Sequence, residues 1–180
     1  ILYGLRDLIG AEAMDSALYA FNQQFGLREA PPFPGSYDLY DHLYAVTPDS
    51  MKYYLDDTWN KITLYDNKAE RALAKKVAEG EYEITLDIRS QKLYADETGR
   101  EENANYEGDY IDIGVFAAED KDENGRTRVN PLYIQKHKVK PGQTSLTVRV
   151  KGEPVKAGID PYNKLIDRIP DDNTKEVEIQ

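Results

Sequence analysis

The apolar residues change their spacing part-way along the chain, and no single kind of element accommodates both spacings. Up to about residue 62 they recur every three or four positions; beyond about residue 65 they recur every second one. The first spacing gathers side chains on one face of an α-helix, the second on one face of a half-buried strand. Such a chain is expected to be α+β with its elements segregated: a helical segment over residues 1–64, then an antiparallel β-sandwich over 65–180. A length of 180 residues suits one domain or two small ones.

In the first part, Ile1, Leu2, Leu5, Leu8 and Ile9 form one stripe, and Met14, Ala17, Leu18, Phe21 and Phe25 another after Gly10. Gly26 stands where a left-handed residue would close the second helix, and Pro31-Pro32-Phe33-Pro34 makes a stiff connector. Ser36 is placed to cap a third helix whose inner side carries Tyr37, Leu39, Tyr40, Leu43 and Tyr44. Thr47-Pro48-Asp49 opens a fourth, with the hydroxyl as cap and the acid at the positive end of the dipole. Its stripe of Met51, Tyr54, Leu55, Thr58, Trp59 and Ile62 runs to about Ile62.

In the second part, Tyr82, Ile84, Leu86 and Ile88 alternate with polar residues, as do Ile111, Ile113 and Val115; Leu132 and Ile134; and Leu146, Val148 and Val150. Glu79-Gly80, Thr98-Gly99, Asn124-Gly125, Pro141-Gly142 and Lys151-Gly152 supply turns between them. Residues 68–78 are ambiguous: Ala69, Leu73 and Val77 fall four apart among good helix formers, yet the segment leads through Glu79-Gly80 straight into a strand.

Charge and composition exclude several functions. With 33 acidic against 23 basic residues the net charge is −10, unsuited to broad contact with nucleic acid or anionic lipid. No run approaches the roughly 20 apolar residues of a membrane-spanning helix. Without cysteine there is no disulfide, thiolate zinc site or thiol nucleophile.

Candidate chemistry is sparse. The two histidines, His42 and His137, lie far apart in sequence and form no H-E-x-x-H cluster, so both are expected at the surface without ligand roles. Asp120-Lys121-Asp122-Glu123-Asn124-Gly125 matches the first half of a calcium loop. The twelfth position is Pro131 instead of a bidentate glutamate, which points to a solvated hairpin tip. Ser16, Ser36, Ser50, Ser90 and Ser145 lie in no G-x-S-x-G turn. The acid pairs Asp56-Asp57, Glu101-Glu102 and Asp171-Asp172 read as solvated faces. Of 14 tyrosines, Tyr37, Tyr40, Tyr44, Tyr53 and Tyr54 concentrate in the third and fourth helices. That concentration suits a packing seam or an aromatic ligand platform.

Two stretches carry a family resemblance. Residues 1–13, Ile-Leu-Tyr-Gly-Leu-Arg-Asp-Leu-Ile-Gly-Ala-Glu-Ala, resemble the helical stretch that follows the active site in M1-family zinc aminopeptidases. Residues 157–168, Ala-Gly-Ile-Asp-Pro-Tyr-Asn-Lys-Leu-Ile-Asp-Arg, resemble the end of large bacterial M1-like proteins, some of which carry a membrane permease-like part. Thr63-Leu64-Tyr65-Asp66-Asn67 looks like the passage from helices to sandwich. The resemblance implies that residues 68–78 are the first strand, against local propensity. It also implies that the family's zinc ligands and general base lie upstream. The family's transition-state tyrosine precedes the first helix, so Tyr3 does not inherit that role.

These readings combine into one expectation. The chain starts at Ile1 with its apolar pattern already running, as a piece of a longer protein would. It is expected to be the non-catalytic C-terminal support region of an M1-like zinc metallopeptidase, with no catalytic, cofactor or metal residue of its own. Zinc belongs to the parent's upstream domain, and that domain of the same chain is the partner. Neither nucleic acid nor direct membrane insertion is expected, and the segment is placed on the extracytoplasmic side of a membrane-attached parent. The alternatives are a free-standing tyrosine-rich peptide- or glycan-binding module, and a calcium-stabilised adhesion-type sandwich resting on Asp120, Asp122 and Asn124.

Overall fold

In a computed structural model describing residues 1–180, the chain separates into two compact units. One comprises Ile1–Thr63 with Ala95–Thr98, the other Leu64–Tyr94 with Gly99–Gln180.

The first unit is helical: α1 (Leu2–Ile9), α2 (Ala11–Phe25), α3 (Ser36–Val46) and α4 (Lys52–Asn60), the last entered through a 3-10 turn over Asp49–Met51. Leu5, Met14, Ala17, Leu43, Tyr54 and Leu55 are its buried apolar residues, drawn from all four helices. Burying each leucine contributes about 1.5–3 kcal/mol. None of the helices is long and apolar enough to cross a membrane.

Four of the expected helix ends are built differently. Gly26 has φ −61° and is extended, so the left-handed residue is Leu27 at φ 58°. A glycine is nevertheless required at 26, because a Cβ there would lie 2.4 Å from the Asn22 carbonyl oxygen. Ser36 is the first helical residue of α3, and Asp38 supplies the cap by accepting the Gly35 N–H at 2.7 Å. Thr47 does not cap the helix that follows: its hydroxyl donates 2.7 Å back to the Leu43 carbonyl of α3. The fourth helix ends at Asn60, and Ile62, expected on its stripe, begins a strand with its side chain largely exposed.

The second unit is β-rich. Its strands are β1 (Ile62–Ala78), β2 (Glu81–Ala95), β3 (Glu101–Asn103), β4 (Asp109–Phe116), β5 (Asp120–Lys121), β6 (Thr127–Arg128), β7 (Pro131–Val139), β8 (Gly142–Lys151), β9 (Lys156–Ile159), β10 (Thr174–Glu176) and β11 (Glu178–Ile179). One five-stranded sheet has the order β11-β1-β2-β3 with β8 also on β2; a four-stranded sheet has the order β10-β9-β4-β7; β5 and β6 pair alone. The pairing is not wholly antiparallel as expected, since β11 runs parallel to β1 and a parallel bridge links Tyr65 to Asp167. Tyr82, Ile84, Leu86 and Ile88 of β2 belong to the same apolar cluster as Ile111, Ile113 and Val115 of β4.

Residues 68–78 are strand throughout. Tertiary demand overrides helix propensity here: β2 places four large apolar side chains inward and needs a hydrogen-bonded neighbour on the same core. Burial on β1 falls on Thr63, Tyr65, Asn67 and Ala69, then on Ala72 and Ala74, so the alternation slips by one residue at Glu70–Arg71. Leu73 is only half-buried and Val77 largely exposed, which dissolves the apparent helical stripe.

Candidate functional site

The segment Asp160–Arg168 follows β9 in the β unit and comes to lie beside the start of β1. Asp160 sits at φ 41° and its carboxylate accepts the backbone N–H groups of Lys164 at 3.0 Å and Leu165 at 2.9 Å, closing a tight loop. Asn163, also left-handed at φ 50°, donates its N–H to the Asp160 carbonyl. Both residues belong to the types that tolerate this conformation. Beyond the loop the chain runs beside β1: the Tyr65 backbone N–H donates to the Ile166 carbonyl at 2.8 Å, the Arg168 N–H to the Tyr65 carbonyl at 3.1 Å, and the Asn67 N–H to the Asp167 carboxylate at 2.9 Å. Arg168 is ion-paired with Glu101.

This loop completes a charge cluster. Asp112 is buried on β4 and lies directly across from Lys136 of β7 in the strand register. Its two carboxylate oxygens take the Lys136 ammonium at 2.9 Å and the Lys164 ammonium at 2.6 Å. The Asp160 N–H donates to the Asp112 carbonyl at 2.8 Å. Asp160 is buried too, and burial pushes its carboxyl up to about 6 despite the two backbone donors that stabilise the ionised form.

Beside the cluster lies a cavity of about 230 Å³, walled by Phe116, Val129, Val155, Pro161 and Tyr162. The Phe116 and Tyr162 rings meet edge to face at 6.0 Å and 85°, an arrangement that suits the aromatic quadrupoles. Gly114 makes this closeness feasible, since a Cβ there would stand 2.8 Å from both the Phe116 ring and Pro161 Cγ. Glu119 and Lys156 also line the cavity, and both are solvent-exposed.

A second buried ion pair joins Lys92 of β2 to Asp109 of β4 at 2.9 Å. Asp109 also accepts the Tyr65 hydroxyl at 2.8 Å, and the Lys92 ammonium lies 4.4 Å from the centre of the Tyr106 ring. Ser90 donates to Asn67 at 2.6 Å, while the Asn67 amide nitrogen is buried without a hydrogen-bond partner. Burial raises the Tyr106 pKa.

In the helical unit, Tyr40 stacks on Tyr44 at 5.3 Å and touches Tyr37 and Trp59. Its hydroxyl donates 2.6 Å to Asp56, and burial together with that carboxylate pushes its pKa up to about 12. Tyr54 is buried and donates to the Ile1 carbonyl at 3.2 Å. Tyr37 is 62% exposed and donates to Asn60.

The other residues singled out in the sequence are tied to local partners. His42 is half-buried instead of on the surface, with Nδ1 2.7 Å from the Asp38 carbonyl and its ring against Phe21 and Phe25. His137 is likewise half-buried, its Nε2 sharing a 2.7 Å hydrogen bond with the Tyr133 hydroxyl. Asp122 closes the β5–β6 turn by accepting the N–H groups of Asn124 and Arg126. The acid pairs divide their tasks: Asp56 serves Tyr40, while Asp57 is buried against Lys61 at 3.0 Å, so this pair is not a solvated face. Glu101 meets Arg168, and Asp172 meets Lys68 at 3.2 Å. No group of three or more histidine, aspartate or glutamate side chains is placed to hold a metal ion.

Neither spacing nor motif in the sequence singles out Lys92, Asp109, Asp112 or Lys136, and Asp160 and Lys164 stand out there only as part of the 157–168 stretch that carries the family resemblance. Parity held the signal for the first pair. Ser90 and Lys92 continue the inward positions of Tyr82, Ile84, Leu86 and Ile88, and Asp109 precedes Ile111, Ile113 and Val115 on theirs.

No family model matches the chain, and no curated protein matches it. Among solved structures it is similar to a β-glucosidase from Kluyveromyces marxianus, at 10% identity and a TM-score of 0.33. The match covers 64% of this chain and spans 14% of the length of that one.

Proposed function

We propose that this chain is the non-catalytic support region of an M1-like zinc metallopeptidase, with the active site in an upstream part of the same polypeptide. Its two main sheets would form a sandwich on their common apolar cluster. The observation that carries the reading is the strand at residues 68–78: local propensity favours helix there, and the family resemblance requires strand. The resemblance-bearing residues Asp160, Asn163, Lys164, Asp167 and Arg168 also each have a definite structural task, as expected of a motif that builds a scaffold.

On this reading the helical unit walls the peptidase cleft, and the β unit supports the peptidase beside a membrane part on the extracytoplasmic side. Zinc and the peptide substrate belong to the parent. The engagement of Tyr40 with Asp56 and of Tyr54 with Ile1 supports a packing seam over a ligand platform for the tyrosines.

The test is to incubate residues 1–180 with zinc and chromogenic amino-acid anilides. No turnover is expected. Zinc-dependent hydrolysis by this polypeptide would overturn the proposal.

A further inference from the structure

The cavity beside Tyr162 combines features that the support role does not use. Its volume of about 230 Å³ exceeds the ~150 Å³ of an apolar cavity known to hold a benzene ring, and leaves room for a small head group. It falls below the ~300 Å³ at which drug-sized ligand sites begin. The walls are apolar and aromatic, with the Phe116–Tyr162 pair in contact with the space.

The rim carries one carboxylate, Glu119, and one ammonium, Lys156, and neither is in an ion pair or hydrogen bond. They are spread about the same ring, because Lys156 lies directly across the β4–β9 ladder from Phe116 and Glu119 follows Phe116 by three residues. The neighbouring lysines differ: Lys136 and Lys164 are both consumed by Asp112. A ligand matching this set has a ring or a branched apolar body, a cationic group for Glu119 and an anionic group for Lys156.

We propose that the cavity formed by Phe116, Val155 and Tyr162 binds a free α-amino acid with an aromatic side chain. The ring enters the apolar space, the ammonium meets Glu119 and the carboxylate meets Lys156. The site is independent of the support role, and its failure would leave that role untouched.

The probe is L-phenylalanine, titrated into residues 1–180 and followed by amide and methyl NMR shifts. A ligand of this size in a half-open site is expected to bind with a Kd on the order of 1 mM. Shifts should centre on Phe116, Val155 and Tyr162. Phenethylamine and 3-phenylpropanoate, each lacking one charge, should bind about two- to five-fold more weakly, the range of an exposed ion pair. Glycine should produce no shifts there.

Lys156→Met should remove the advantage of L-phenylalanine over phenethylamine, and Glu119→Gln its advantage over 3-phenylpropanoate. Both residues are exposed, so an unchanged melting temperature is expected and confirms that the fold persists. Absence of shifts at the cavity, or equal binding of all three aromatic probes, would overturn the proposal.

Discussion

The Lys92 ammonium and the Asp109 carboxylate meet at 2.9 Å with only 2% and 5% of their side chains exposed. Each ion loses its hydration on burial, and their mutual attraction with the added Tyr65 hydrogen bond offsets that cost. Removing one partner strands the other. Lys92→Met is therefore expected to destabilise the protein by about 3–5 kcal/mol. Adding Asp109→Asn should restore part of that loss, because no buried carboxylate is then left ionised. Urea denaturation of the two single variants and the double variant checks this, and a loss below about 1 kcal/mol for Lys92→Met would contradict it.

That pair also shows how much of the fold was legible in advance. The switch of spacing separated helices from strands correctly because each period reports a single buried face. The same parity that marked Ile84, Leu86 and Ile88 as inward also marked Lys92, but a charged residue breaks an apolar pattern and so ends the visible stripe. Asp112 was harder, since it lies on the other face of β4 and meets Lys164 through a loop distant in sequence. Residues 68–78 were illegible for another reason. Small alanines fit either element, and the one-residue slip at Glu70–Arg71 breaks the two-residue repeat that would have identified the strand.

Asp160 titrates near 6, above the ordinary aspartate value of 3.8. A carboxyl whose pKa is raised by folding favours the native state most at pH below its unfolded value. That contribution is lost as pH rises through about 6. For the same reason the stability advantage of the wild type over Asp160→Asn should shrink between pH 4 and pH 7, on the order of 3 kcal/mol at most. Urea midpoints of the two proteins across that range test it. A constant difference would show that Asp160 keeps an ordinary pKa.

Two glycines on the four-stranded sheet should respond unequally to alanine. At Gly158 a Cβ would lie 2.1 Å from the Asn173 carbonyl oxygen and 2.7 Å from Thr174 Cα, both backbone atoms on the neighbouring strand side. At Gly114 the clashes are with side chains of Phe116, Pro161 and Ile134, which can shift. Gly114→Ala is expected to cost about 1–3 kcal/mol, in the range of ordinary overpacking. Gly158→Ala should cost more and separate β9 from β10. Thermal melts of both variants rank them, and equal melting temperatures would be the opposing result.

In the helical unit, the Tyr40 hydroxyl donates to Asp56 and ionises only near pH 12. A tyrosine with a raised pKa stabilises the fold below its unfolded value of about 10, and that stabilisation is lost as pH climbs toward 12. Absorbance titration should show that Tyr40→Phe removes one late-ionising phenol and leaves the rest of the phenol titration unchanged. The substitution should also cost about 1.5–3 kcal/mol in urea, the worth of a hydrogen bond to a charged acceptor. Loss of a phenol titrating near 10 would contradict the assignment.

If residues 65–180 brace a peptidase whose chemistry lies upstream, removing them should cost stability before it costs chemistry. The direct measurement is the temperature at which half of the aminoacyl-anilide hydrolysis is lost. It is made on the product of the complete gene and on a version ending after residue 64. The intact protein is predicted to hydrolyse the anilide in a chelator-sensitive manner, and the shortened one to lose its activity at a clearly lower temperature. Identical inactivation of the two, or an intact protein with no chelator-sensitive hydrolysis, would contradict the account.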